Sequence, residues 1–107
     1  MACRALKSEG YTIIEKNFSS RGGEVDIVAE QGGYVCFIEV KSRSSRSFGS
    51  PEDSVTKTKQ RRLLHAAETF IERRGIESED LRFDVVSVDL KDGGVSIIQN
   101  AFEAASE

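Results

Sequence analysis

Gly32-Gly33 sets the frame of this chain. It separates Glu24-Val25-Asp26-Ile27-Val28-Ala29 from Phe37-Ile38-Glu39-Val40-Lys41, two runs rich in β-branched and aromatic residues. Two glycines between such runs are a strong signal for a two-residue hairpin turn. With that turn, residues whose numbers sum to 65 stand opposite one another. Val25 then faces Val40, Ile27 faces Ile38 and Ala29 faces Cys36, which makes one apolar face. On the other face Glu24 meets Lys41, Asp26 meets Glu39 and Val28 meets Phe37. A slip of one residue would mix the two faces, so the pattern itself selects the register. Two carboxylates are thereby opposed, with Cβ atoms about 5 Å apart. Like charges placed so are destabilising unless something neutralises them. A divalent cation would do so, and Lys41 projects from the same face two residues on.

The residue types suit that cation. Asp26 and Glu39 supply hard oxygen ligands, and the Val40 carbonyl can add another. Magnesium favours a few carboxylates plus waters and a substrate phosphate. A metal so held lowers the pKa of bound water and offsets charge on a phosphate. Lys41 is placed to orient that water or to stabilise developing charge. Glu24 is a candidate for a second metal, for a base, or for a plain cross-strand partner of Lys41. The bland reading makes Asp26, Glu39 and Lys41 ordinary solvent-face residues. Against it, Val28 opposite Phe37 implies that this face is covered, and opposed carboxylates beneath a helix are costly.

The net charge is −3, yet its distribution is uneven. From Lys41 to Arg62 there are seven basic residues and two acids, a stretch of +5 that leaves −8 elsewhere. Such a stretch attracts a polyanion despite the negative total; a solvated helix face is the plain alternative. A length of 107 residues suits a single domain, 1–107, with a real core. No apolar run reaches membrane-spanning length and the first residues do not read as a secretory signal. Cys3 and Cys36 form no disulfide framework, Cys36 falling on the apolar face, so the cytoplasm is the expected compartment. His65 alone is too little for a zinc cluster.

The rest of the chain reads as helix over 1–8, strand over 11–18, loop over 19–23, the hairpin, and a loop over 42–50. Ser50-Pro51 and Thr56 both signal helix starts. Leu63, Ala66, Ala67, Phe70 and Ile71 then repeat at helical spacing until Gly75. Strands follow over 82–89 and 95–99. The order α-β-β-β-α-β-β predicts an α/β fold, a central mixed sheet flanked by helices.

Arg21-Gly22-Gly23-Glu24-Val25-Asp26-Ile27-Val28-Ala29, Phe37-Ile38-Glu39-Val40-Lys41-Ser42-Arg43, Phe48-Gly49-Ser50-Pro51-Glu52, Val55-Thr56, Lys59-Gln60-Arg61-Arg62-Leu63 and Arg82-Phe83-Asp84-Val85-Val86 together closely resemble the YraN-type family of bacterial proteins. That family looks like a branch of the PD-(D/E)xK nucleases, similar to archaeal Holliday-junction resolvases. The resemblance implies a restriction-endonuclease-like fold and Mg²⁺- or Mn²⁺-dependent hydrolysis of phosphodiester bonds, in duplex or branched DNA. Asp26, Glu39 and Lys41 fall on the signature positions, and Glu24 is matched as well. Arg21, Arg43, Arg46, Lys57, Lys59, Gln60, Arg61 and Arg62 are the expected nucleic-acid contacts, with Gln60 reaching toward the site. A homodimer would serve to cut both strands. Resolvase-like members add a metal-binding acid from the first helix. Aligned on Gly10-Tyr11, that acid falls before Met1, so either the start site is misassigned or the first helix is shortened and metal binding weaker. The alternative function is a non-catalytic module of the same fold that binds nucleic acid or protein.

Overall fold

A computed structural model describes residues 2–43, 55–77 and 80–102. The Ser50-Pro51 helix start and Arg46 lie outside these residues. The elements are α1 (Ala2–Ser8), β1 (Thr12–Ser20), β2 (Gly23–Gln31), β3 (Tyr34–Arg43), α2 (Lys57–Arg74), β4 (Leu81–Asp89) and β5 (Val95–Ile98), in the predicted order. The five strands form one sheet in the order β1-β2-β3-β4-β5. All neighbours are antiparallel except β3 and β4, which are parallel and joined across α2. The sheet is therefore mixed.

Each face of the sheet has its own core. Leu63, Ala66, Ala67 and Phe70 recur at three- and four-residue spacing, so they line one stripe of α2. That stripe packs on Val28, Val35, Phe37, Phe83 and Val85. The Phe70 ring meets Phe18 and Phe37 edge-on, with centroids 5.2 and 6.1 Å away. Burying Leu63 and Phe70 stabilises the layer by about 1.5–3 kcal/mol each. On the opposite face Leu6 of α1 packs with Tyr11, Ile27, Ala29, Cys36, Ile38, Val86 and Val88. Cys36 is fully buried there and its thiol is pushed up to about 12, first by burial and then by the nearby Asp84 charge. It acts as a small hydrophobe, as its place on the hairpin predicts.

Thr56 caps α2, its Oγ1 accepting from the Lys59 N–H at 3.2 Å. Gly75 stops the helix in the left-handed conformation at φ 64°. Two expected boundaries move. Ser42 and Arg43 belong to β3 rather than to a loop, because β4 continues alongside and pairs Ser42 with Val88 and Arg43 with Asp89. Ser19, Ser20 and Gly23 belong to strands, which confines the β1–β2 turn to Arg21-Gly22.

A buried polar knot lies at the turn end of the α1 face. Asp84 is 1% exposed. It accepts from the Tyr11 hydroxyl at 2.7 Å, from Arg82 Nε at 3.0 Å and from the Asn100 N–H at 2.8 Å. Arg82 also donates to Gln31, and Gln99 donates to both Tyr11 and Gln31. The knot ties the α1–β1 junction to the ends of β2, β4 and β5. Burial and the Asp84 hydrogen bond push the Tyr11 hydroxyl up to about 12. Burial disfavours the Arg82 charge, but its bonds to Asp84 outweigh that and raise its pKa.

Candidate metal and nucleic-acid site

β2 and β3 pair as Ile27↔Ile38, Val28↔Phe37, Ala29↔Cys36, Glu30↔Val35 and Gln31↔Tyr34, the register the glycine turn predicts. The ladder ends at Ile27↔Ile38, one residue short of the acids. Asp26 and Glu39 are thus not ladder partners. Instead Asp26 Oδ2 accepts from the Val40 N–H at 2.8 Å, a side-chain oxygen doing the work of a backbone carbonyl.

The expected facing pairs beyond this point fail for the same reason. Val25 does not share a face with Val40: Val25 is in the α2-side core, while Val40 packs with the α1-side core. Glu24 does not meet Lys41 either. Its carboxylate lies 3.8 Å from Arg62 on α2, with both side chains largely exposed, so this pair contributes little to stability.

What the strand does bring together is Asp26, Glu39 and Lys41. Glu39 and Lys41 follow Val35 and Phe37 at alternate positions on the α2 side of β3. Lys41 Nζ is 3.3 Å from Glu39 Oε2, and each side chain is 19% exposed. The Glu39 carboxyl is raised above its ordinary value, chiefly by burial and next by the Asp26 charge, with Lys41 opposing. Two acids close enough to repel, one of them half-buried, carry a mutual penalty that a cation would relieve. Among the described residues no cluster of three or more His, Cys, Asp or Glu is arranged for a metal. Two carboxylates still match the habit of magnesium, which keeps several waters and needs few protein ligands.

The first turn of α2 overhangs these acids. The Lys59 and Lys41 amines are near enough to titrate together: Lys41 holds its proton above its ordinary range as Lys59 gives way first, and Glu39 adds to the rise. Lys41 in turn lowers the pKa of Lys59. Lys59, expected as a nucleic-acid contact, therefore belongs to the acid cluster itself. Lys57, Arg61 and Arg62 are exposed on the same helix, and Arg21 is exposed at the β1–β2 turn. Arg43 is half-buried at the end of β3. Gln60 does not reach the acids: its amide donates to the Val55 carbonyl at 3.0 Å. His65 lies against Gly22, where an added Cβ would meet the imidazole at 2.5 Å, so it packs the turn.

Cavities alone would direct attention elsewhere. A groove of about 550 Å³ between α1 and β5 is lined by Ala5, Ser8, Glu9, Val95, Ile97 and Gln99. Among the described residues its lining holds one ionisable group, Glu9, so the acid–lysine cluster is the better candidate for chemistry. A smaller cavity of about 260 Å³ lies beside Asp26 on its β1 side.

Residues 1–88 match the profile of the Uncharacterised protein family UPF0102. The chain belongs to the UPF0102 family. It is 45% identical over 101 residues to a UPF0102 protein of Desulfosudis oleivorans, covering 94% of this chain and 82% of the relative. A UPF0102 protein of Symbiobacterium thermophilum is 43% identical over 106 residues, covering 96% and 90%. This is the YraN-type family to which the hairpin and helix motifs point. Among the described residues, no UPF0102 helix here is long and apolar enough to cross a membrane.

Proposed function

We propose that this UPF0102 protein is a metal-dependent endonuclease that hydrolyses phosphodiester bonds in DNA. One observation carries the reading: Glu39, half-buried and pressed by the Asp26 charge, stands 3.3 Å from Lys41 beneath a basic helix. A sheet face has no structural need for this costly grouping. The PD-(D/E)xK resemblance supplies the substrate class, duplex or branched DNA. A homodimer would give two such sites, one for each strand.

Asp26 and Glu39 would hold Mg²⁺ or Mn²⁺, with the Val40 carbonyl as a further oxygen. When bound, that ion lowers the pKa of a water and offsets phosphate charge. The Val40 N–H fixes one Asp26 oxygen and leaves the other for the ion. Lys41 donates to the phosphate as negative charge develops, or holds the attacking water. In hydrolysis the water oxygen bonds to phosphorus and the bond from phosphorus to the leaving sugar oxygen breaks. That oxygen gains a proton, and the water loses one to a base. Lys59, Lys57, Arg61 and Arg62 grip neighbouring phosphates from α2, which fixes position without reading sequence.

The test is a cleavage assay on duplex, single-stranded, flap and four-way-junction DNA, with and without Mn²⁺. Lys41→Ala should retain DNA and metal binding but lose most turnover, since it removes a contact used chiefly in the transition state. Millimolar Mn²⁺ should raise Tm in wild type, and neither Asp26→Asn nor Glu39→Gln should show that rise. A second reading, DNA binding without cleavage, is favoured by the lack of a third acid among the described residues. Binding of every substrate with cleavage of none would select it.

A further inference from the structure

The β1–β2 pair turns over at Asp26. Glu15↔Val28, Lys16↔Ile27 and Phe18↔Val25 hold one continuous register, so neither strand gains a residue across this stretch. Alternation along an antiparallel pair should put successive facing pairs on opposite sides of the sheet. Val28 is on the α2 side, and its partner Glu15 reaches Arg74 of α2. Ile27 is on the α1 side. Asn17 and Asp26 come next, and then Phe18 and Val25 should lie on the α1 side. Instead both are in the α2-side core. The two strands have rotated together by one step, and Asn17 and Asp26 are at the pivot.

Asn17 carries the rotation in its backbone. Its φ of 56° is left-handed, one of two non-glycine residues with positive φ among those described. Asparagine tolerates this region better than most side chains, and β-branched residues avoid it. The β1–β2 pairing skips Asn17 and Asp26 while keeping their neighbours. Asp26 is likewise outside the β2–β3 ladder, and its carboxylate reaches Val40. It is thus released from pairing on both sides at the point where the sheet rotates.

We propose that Asn17 is the positioning residue for Asp26. Its left-handed backbone turns the strand pair over, and that turnover directs the Asp26 carboxylate to the Val40 N–H and into the neighbourhood of Glu39. The inference deepens the nuclease reading and rests on it for the role of Asp26.

Three variants test it. Asn17→Val and Asn17→Ala disfavour the left-handed backbone, and Asn17→Gly allows it. The first readout is the Val40 amide in metal-free protein, followed by NMR shift and hydrogen exchange. It should exchange faster in the valine and alanine variants and stay as in wild type in the glycine variant. The second is the Mn²⁺ concentration giving half-maximal cleavage. It should rise by roughly tenfold or more in the first two and return in the third, the scale seen when a ligand loses its orienting support. If valine prevents folding, the alanine variant decides. An unchanged Val40 amide in a folded valine or alanine variant would overturn the proposal, as would failure of glycine to restore it. Wild type that cleaves nothing would overturn the nuclease reading alone, because the Val40 readout still decides the positioning.

Discussion

Glu39 places a carboxyl where charge is disfavoured. Burial and Asp26 raise its pKa in the folded chain, while Lys41 only partly compensates. The folded state therefore holds this proton to higher pH than the unfolded state does. Stability from the group is fully present below the ordinary glutamate value and is lost as pH rises through the raised folded value. In metal-free buffer at neutral pH, Glu39→Gln should melt above wild type. The gap should shrink as pH falls through the raised folded value toward the ordinary glutamate value. Thermal melts across that range check it, and a gap independent of pH would remove the strain argument. Asp84 shows the opposite treatment of a buried acid. Its carboxylate is met by Arg82, Tyr11 and the Asn100 N–H, so it needs no metal ion.

The elements show what was legible in the chain and what was not. Strict alternation on both sides of Gly32-Gly33 determined the β2–β3 register as far as Ile27↔Ile38. Beyond it, alternation does not continue, because the strand pair turns over at Asn17 and Asp26. Only the tolerance of asparagine for positive φ hinted at this, and that is weak at a strand position. The extension of β3 through Arg43 depended on β4, a partner distant in sequence. The Asp84 knot was hidden because Arg82-Phe83-Asp84-Val85 alternates like any half-exposed strand, and alternation does not say which face is covered. Gly22 and Gly23 read as loop glycines, but their role is close approach to α2. A Cβ on Gly23 would stand 1.9 Å from the Arg62 carbonyl oxygen, which belongs to backbone and cannot swing aside. Gly23→Ala should therefore destabilise by about 1–3 kcal/mol and move the helix that carries Lys59. Gly22→Ala meets the His65 ring first, a side chain that can move, and should cost less. Denaturant melts of the two variants check the order.

Across the whole molecule, charge is segregated. The total is −3, yet the first turns of α2 carry Lys57, Lys59, Arg61 and Arg62, all exposed. DNA affinity should accordingly fall steeply with salt, since binding through phosphates releases counterions. Changing Arg61 and Arg62 to alanine should weaken binding about equally for all sequences and flatten the salt slope by roughly one to two units. Titrations at several salt concentrations check it, and an unchanged slope would return both arginines to solvent. The parallel pairing of β3 with β4 has a kinetic consequence as well. The β2–β3 hairpin closes over two residues, whereas β3 and β4 meet only after the 37 residues from 44 to 80 have looped back. Closing the longer loop costs about 2.5 kcal/mol more chain entropy before any contact rewards it. The strands bearing Asp26, Glu39 and Lys41 should thus pair early in refolding, with Ala29 and Ile38 amides, which face across the hairpin, protected in pulse-labelled exchange before the Val86 amide, which faces β3. The acids would then meet in a nascent chain that has not yet acquired its fourth strand.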